Sequence, residues 1–453
     1  MISEIKKYFE KSSSEIGGDF NRWRIPPAAL AIHLCIGQAY SFSVFNLPLT
    51  KILGVTQSAP GDWKLTEVTV IFSLAFVMLG LSAAVFGKWL EKAGPRLAMF
   101  FAAILFSGGF FISAIGIQIH QIYLLYLGYG ILGGIGLGLG YISPVSTLMK
   151  WFPDRPGMAT GMAIMGFGGG AMLGSPLAVG LMNHFSTDTS NGVLPTFLTM
   201  GTIYAVLMMY GVINIRVPKA DWAAKHLRPV TETKRKILKP AQDILVEDAM
   251  KTKQFWLLWI MLCANVTAGI AMISQASPMI QEMFSGQIDA KMAAMFVGLL
   301  SFFNLIGRFI WSSLSDLMGR KMTYTIYFGL GMILYSLIPV FGKSGNVAFF
   351  VATACIIISM YGGGFSTIPA YLKDLFGLVN VGAIHGRLLT AWSTAGILGP
   401  TLITYIREQQ ITSGASASEA YSLTMYIMSG FLLIGFIANR LVQGMVESVS
   451  SAK

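Results

Sequence analysis

The sequence predicts an all-α integral membrane protein with twelve transmembrane helices in two pseudo-symmetric six-helix bundles. Three observations predict it. Only 12% of the 453 residues are charged and 54% are hydrophobic, whereas a soluble domain carries about 25% charged residues. Lipid must therefore replace water as the solvent for most of the chain. Twelve apolar runs reach the length of about 20 residues that crosses a bilayer. Finally, the loop after the second run recurs after the eighth.

The runs are 25–50, 66–88, 97–117, 121–148, 158–184, 194–216, 254–282, 291–315, 322–341, 346–372, 383–406 and 420–443. The one long polar segment, Arg216 to Lys253, separates the sixth from the seventh and holds Arg228, Lys234, Arg235, Lys236 and Lys239. The predicted organisation is a cytoplasmic N-terminal segment (1–24), an N-terminal bundle (25–216), a cytoplasmic linker (217–253), a C-terminal bundle (254–443) and a cytoplasmic tail (444–453). Basic residues set the orientation. Lys6, Lys7, Lys11, Arg22 and Arg24 precede the first span. Lys88, Lys92 and Arg96 follow the second, Lys150 and Arg155 the fourth, and Arg320 and Lys321 the eighth. Both termini are expected in the cytoplasm, and the protein in the plasma (inner) membrane as a multi-pass monomer. The net charge of +11 is topological and does not imply nucleic acid. Met1 to Arg24 has no short apolar core followed by small residues, so it does not read as a cleavable signal. Cys35, Cys263 and Cys355 lie inside apolar runs and read as core residues.

The halves repeat. Gly87-Lys-Trp-Leu-Glu91-Lys92-Ala-Gly94-Pro95-Arg96 lies between spans two and three, and Ser312-Ser-Leu-Ser-Asp316-Leu-Met-Gly319-Arg320-Lys321 between spans eight and nine. An offset of 225 residues pairs Glu91 with Asp316 and Gly94 with Gly319, and also Gly161 with Gly386 and Gly174 with Gly399. This loop pattern resembles that of the major facilitator superfamily, with Glu91 standing where the family usually has aspartate. The resemblance covers essentially the whole chain. It implies the major facilitator fold and gives Gly87, Glu91, Gly94, Arg96, Asp316, Gly319 and Arg320 the role of a conformational-gating loop.

Charge within a span is costly and usually functional. Arg308, in mid-span of the eighth run, is the clear instance. A guanidinium cannot lose its proton and grips a carboxylate through two parallel hydrogen bonds. Asn304, four residues earlier, shares its helix face, and Gly307 leaves room beside it. Tyr40, Tyr141, Tyr361, Phe365 and Trp392 are aromatic candidates in spans one, four, ten, ten and eleven. His33 and His385 are candidates for proton coupling, because an imidazole can take up a proton near neutral pH. Glu67 sits near a helix end and reads as interfacial.

The set resembles the oxalate/formate antiporter and monocarboxylate transporter families. The residues that carry the likeness are Trp151-Phe152-Pro153-Asp154-Arg155, Asn304-Leu-Ile-Gly307-Arg308, Phe255-Trp256-Leu-Leu-Trp259 and Asn265-Val-Thr-Ala-Gly269. The resemblance implies that Arg308 is the carboxylate ligand and that Tyr40, Tyr141, Tyr361, Phe365 and Trp392 fall at cavity positions. Two departures bear on the substrate. Oxalate carriers place a lysine in the eleventh span, where this chain has Trp392. Animal-type monocarboxylate carriers place an aspartate four residues before the arginine, where this chain has Asn304, and a lysine in the first span, which has none. One buried cation balances one carboxylate. The expected function is therefore secondary transport of a monocarboxylate such as lactate, pyruvate, glycolate or formate, with a proton or counter-anion as partner. Oxalate/formate-type dicarboxylate exchange is the alternative within the class, and a transporter-like sensor without flux the alternative outside it.

Enzymes are not indicated. The five histidines are scattered singly, no metal site is suggested and no cofactor is expected. The glycine runs Gly128 to Gly140 and Gly166 to Gly170 imitate nucleotide fingerprints but lie inside spans, where glycines let helices approach closely.

Overall fold

The computed structural model describes residues 2–219, 222, 243–288, 290–416 and 419–444. Arg228, Lys234, Arg235, Lys236 and Lys239 of the linker, and the tail beyond residue 444, lie outside the described residues. Among the described residues, ten continuous helices are long and apolar enough to cross a membrane. They correspond to the second to tenth and the twelfth expected spans, from Leu65–Ala93 and Pro95–Gln118 through Arg320–Lys343 and Val347–Phe376 to Ser422–Leu441.

The first and eleventh expected spans are not among these ten, and both are interrupted. The first is α-helical over Ile25–Ile36 and turns to 3-10 geometry over Gly37–Phe45. Gly37 is where backbones meet: a Cβ there would lie 2.7 Å from the Cα of Phe167. The following Gln-Ala-Tyr-Ser-Phe-Ser-Val-Phe is mostly weak helix formers. The eleventh runs Val381–Leu388, breaks at Leu389, and resumes as Thr390–Thr412. The seventh pauses too, ending at Ser274 and restarting as Ala276–Met283. In the fourth, a π-helical stretch, Tyr126–Gly133, follows the opening α-helical turn Ile122–Leu125. Such stretches are rare and concentrate at functional sites. Hydropathy alone marks all of these as uninterrupted runs.

Contacts divide the chain into two compact units. One comprises Met1–Asp154, Gly166–Thr233 and Gly382–Thr390; the other comprises Arg155–Met165, Lys234–Val381 and Ala391–Lys453. The opening turns of the fifth helix thus belong with the C-terminal half of the chain. Those of the eleventh belong with the N-terminal half.

Within the N-terminal unit, Pro95–Gln118 packs along Val193–Asn214, and Leu65–Ala93 along Gly134–Trp151. The polar segment ahead of the first span is docked onto this unit. Glu15–Ile16 pairs in parallel with Val217–Pro218. Trp151 joins the two, its indole N–H donating to the Arg216 carbonyl at 2.8 Å while its ring meets Phe20 and Trp222. Within the C-terminal unit, Ala290–Met318 packs along Val347–Phe376, and Arg320–Lys343 along Ser422–Leu441. Gly307 permits the first of these contacts, since a Cβ there would lie 2.7 Å from Ser359 Cα.

Candidate functional site

In the C-terminal unit the candidates form one connected group. Arg308 is fully buried and Asn304 nearly so. One helical turn separates them, which aligns the Arg308 Nε–H with Asn304 Oδ1 at 3.0 Å. The Nη1 group donates to the main-chain carbonyl of Ile164 at 3.3 Å. The guanidinium carbon lies 5.5 Å from the centroid of Phe365. Phe365 in turn packs on Trp392 at 4.4 Å and edge-on to Tyr361 at 5.4 Å. The room is made by glycine: a side chain at Gly362 would meet Asn304 Oδ1 at 2.5 Å. The Arg308 carbonyl accepts the hydroxyl of Ser366 from the tenth helix, at 2.6 Å, and that of Ser312 one turn further along its own helix.

These arrangements have a chemical consequence. A buried guanidinium is costly without compensating charge. A guanidinium in this position can grip a carboxylate through charge-assisted bonds worth about 1.5–3 kcal/mol each. Behind Tyr361, a cavity of about 10 Å³ is lined by Asn265, Tyr327, Tyr335 and Tyr361, room for about one water. Asn265 Oδ1 and the Tyr335 hydroxyl are buried there without a hydrogen-bond partner among the described residues.

In the N-terminal unit a second group assembles around Phe167. Tyr40 meets Phe167 at 4.9 Å, and Tyr141 meets it at 5.6 Å. Tyr141 is flanked by His33 at 5.4 Å and His385 at 5.8 Å. His33, Tyr141 and His385 are all fully buried, while Tyr40 is half-buried. The sequence candidates thus form two groups, Arg308, Asn304, Tyr361, Phe365 and Trp392 in one unit, and Tyr40, Tyr141, His33 and His385 in the other.

The loop residues behave differently in the two halves. Gly94 and Gly319 both take positive φ, 86° and 88°, and each separates two helices with a single residue. Asp316 accepts from the main-chain N–H groups of Gly157 and Met158, both at 2.9 Å, at the start of the fifth helix. Arg320 holds Asp316 at 2.5 Å and Asp374 at 3.1 Å. Glu91 instead pairs with Lys150 at 2.9 Å, and Gly87 abuts Ala383. Arg96 donates to the Tyr8 carbonyl at 2.8 Å and to Ser13 Oγ at 3.1 Å.

The family model of the Major Facilitator Superfamily matches residues 28–400. The chain belongs to the major facilitator superfamily. It is a membrane-spanning transporter and not an enzyme. Among curated relatives, this facilitator is 26% identical over 380 residues to the oxalate:formate antiporter of Oxalobacter formigenes, covering 84% of this chain and 83% of that protein. It is 24% identical to apicoplast pyruvate carrier 1 of Toxoplasma gondii, covering 83% and 76%. It is 23% identical to human monocarboxylate transporter 11, covering 83% and 75%. Its fold matches that of the E. coli fucose:proton symporter, with TM-score 0.66 and 14% identity over 93% of this facilitator and 99% of that chain.

Three partners escaped the sequence reading: Phe167, Asn265 as a cavity residue, and the Ile164 carbonyl. A signal for the first two was present. The offset that pairs Glu91 with Asp316 also pairs Phe167 with Trp392 and Tyr40 with Asn265. A main-chain carbonyl leaves no such trace.

Proposed function

We propose that this facilitator is a secondary transporter of small organic anions, with Arg308 binding the carboxylate and alternating access moving it across the membrane. The supporting observation is the guanidinium fully buried in mid-helix, held by Asn304 and facing the aromatic ring of Phe365. Asn304 orients it, and Phe365, Trp392 and Tyr361 supply an aromatic wall. Tyr40 and Tyr141 are the substrate-facing candidates of the N-terminal unit, and His33 and His385 are the candidates for the coupling proton. Gly87, Glu91, Gly94, Arg96, Asp316, Gly319 and Arg320 act in gating.

With Trp392 where a second cation would serve a second carboxylate, a monocarboxylate such as lactate, pyruvate, glycolate or formate is the favoured substrate. The likeness to the oxalate:formate antiporter favours a second reading, dicarboxylate exchange. The protein works as a monomer in the plasma membrane with both termini in the cytoplasm.

The test is uptake into proteoliposomes of labelled lactate, pyruvate, formate and oxalate, with and without internal substrate, for wild type and Arg308→Ala. Monocarboxylate uptake that disappears in the variant is expected. Wild-type rates in the variant would remove Arg308 from the site. Uptake only into oxalate-loaded vesicles would establish the exchanger, and binding without flux the sensor.

A further inference from the structure

The cavity of about 10 Å³ behind Tyr361 is lined by two polar groups that lack a partner among the described residues. We propose that this cavity is a binding site for one water molecule, held between Asn265 Oδ1 and the Tyr335 hydroxyl, and that Asn265 and Tyr335 act through it as positioning residues for Tyr361. The positioning role rests on the reading of Tyr361 as part of the substrate wall; the water site does not.

The chemistry of the lining selects the occupant. Asn265 and Tyr335 are only 5% and 2% exposed, so bulk water does not reach the two unsatisfied atoms. Leaving a buried polar atom in that state is costly, and proteins meet the demand with an ordered water where there is room for one. Such a water donates to the amide oxygen and accepts from the phenol. The hydroxyl of Tyr327 lies in the same lining. It is engaged with Thr367 Oγ1 at 3.1 Å but keeps capacity to accept a further bond. The rest of the lining, Ala268, Gly331, Ile357, Met360 and Leu432, is apolar. With no charged side chain there, an ion of either sign lacks the ligands it needs, whereas a neutral water finds two or three partners.

The site lies where the seventh and tenth helices interlock. Asn265 and Gly269, one turn apart, share the face of the seventh helix that meets the tenth. Gly364 abuts Asn265 Oδ1, and Gly269 abuts the Tyr361 ring. Each helix thus offers a glycine to the other's side chain. The Tyr361 ring is held by the seventh helix at Gly269, lies edge-on to Phe365 at 5.4 Å, and borders the cavity. A water in the cavity closes the open side of the ring, whereas an empty cavity leaves the ring room to tilt.

The internal repeat shows that packing at this depth does not require a polar cavity. The offset of 225 residues carries Gly331 to Phe106 and Tyr335 to Phe110. In the N-terminal unit those two rings lie 5.5 Å apart and pack on Tyr204 at 5.7 and 5.4 Å. Phe110 also meets Tyr129 at 5.2 Å, whose hydroxyl donates directly to Gln38 Oε1 at 3.0 Å. Rings fill the position in that unit. The version with a glycine and a phenol occurs in the unit that carries Arg308, which is where a water beside the aromatic wall can act on the site.

The test uses the full chain. A high-resolution structure in lipid nanodiscs should show one peak within hydrogen-bond reach, about 2.7–3.2 Å, of both Asn265 Oδ1 and the Tyr335 oxygen. An empty cavity, or a peak ringed by about six oxygens as a cation would be, overturns the water site. In proteoliposomes, Asn265→Leu and Tyr335→Phe should each raise the lactate concentration that half-saturates exchange by about threefold to tenfold, the scale of one hydrogen bond. Their thermal midpoints in detergent should stay within about 3 °C of wild type. A lowered midpoint with unchanged half-saturation would make both residues merely structural and overturn the positioning role. Added to Tyr361→Leu, Asn265→Leu should change the half-saturation no further, because both act through the same ring. A full additional loss overturns the role as well. Wild-type half-saturation in Tyr361→Leu alone would remove Tyr361 from the substrate wall, and the positioning role with it, while the peak still decides the water site. The wild-type peak decides even if a variant does not fold.

Discussion

Arg308 donates through Nη1 to the main-chain carbonyl of Ile164 at 3.3 Å, so the candidate carboxylate ligand is tied to the opening turns of the fifth helix. Those turns pack closely on the Arg308 helix. A Cβ on Gly161 would lie 2.9 Å from the Arg308 carbonyl oxygen and 3.1 Å from Phe309 Cα. The same relation recurs in the other unit, where Gly386 faces Ala83 and Ala84, the counterparts of Arg308 and Phe309 at an offset of 225 residues. The repeat therefore preserves the helix contact, while only one half carries the cation.

Lysine should not replace Arg308. Its ammonium keeps the charge but lacks the planar fork that reaches Asn304, Ile164 and a carboxylate together. Loss of one charge-assisted bond worth about 1.5–3 kcal/mol corresponds to a loss of roughly tenfold to a hundredfold in affinity. Equilibrium exchange measured over a range of lactate concentrations for Arg308→Lys checks this. An apparent affinity within threefold of wild type would show that charge alone suffices.

The two gating loops should differ in their effect on stability. Asp316 and Arg320 form a nearly buried pair, with side chains 13% and 7% exposed, and Asp316 also accepts two main-chain N–H groups. Breaking such a pair from one side costs about 3–5 kcal/mol. Glu91 and Lys150 are paired once, with Lys150 more exposed. Asp316→Asn should therefore lower the thermal midpoint in detergent more than Glu91→Gln does. Combining Asp316→Asn with Arg320→Gln should cost less than the sum of the two, because each removes the same interaction. Equal shifts for Asp316→Asn and Glu91→Gln would contradict the asymmetry.

Much of this was legible in the sequence because membrane helices announce themselves by length and apolarity. The face shared by Asn304 and Arg308 follows from helical periodicity alone. The interruptions at Gly37 and Leu389 were not legible, since 3-10 and α geometry draw on the same apolar residues. Nor was the company His385 keeps. Its place beside Tyr141 depends on a long-range packing of the eleventh helix on the second, which leaves only the small residues Ala83, Gly87 and Gly386 as a trace. Phe167 lies among glycines that mark only close helix packing, so its place in the aromatic group shows in the sequence only through the 225-residue offset that links it to Trp392.

Substrate charge should follow position 392. Trp392 stands against Phe365, which lies beneath the Arg308 guanidinium. Replacing the indole with a lysine would add a second cation to the same aromatic wall, and a second carboxylate is the natural counter-charge. Trp392→Lys should raise the ratio of oxalate to lactate exchange at least tenfold relative to wild type, measured side by side in the same vesicles. An unchanged ratio would mean that Trp392 does not face the substrate.

The loop between the first and second spans should loosen in acid. Asp62 accepts the N–H groups of Leu53 and Ala59 at 2.8 Å and of Gly54 at 3.2 Å. Burial works against its charge, but these three bonds and the nearby His120 outweigh it and hold the carboxyl below the usual carboxylate range. Because the folded value is the lower one, the stabilisation is present in full above the unfolded value of about 3.9. It is lost as the pH falls through the folded value. Hydrogen exchange at the amides of Leu53, Gly54 and Ala59 should therefore stay protected at neutral pH and lose protection below about pH 4, after correction for the intrinsic pH dependence. Asp62→Asn should show the loosened behaviour already at neutral pH, because a neutral amide oxygen is a weaker acceptor. Equal protection of the variant and wild type at pH 7 would assign the loop's order to the stacking of Trp63 on His120, whose rings lie 4.6 Å apart, and not to the carboxylate.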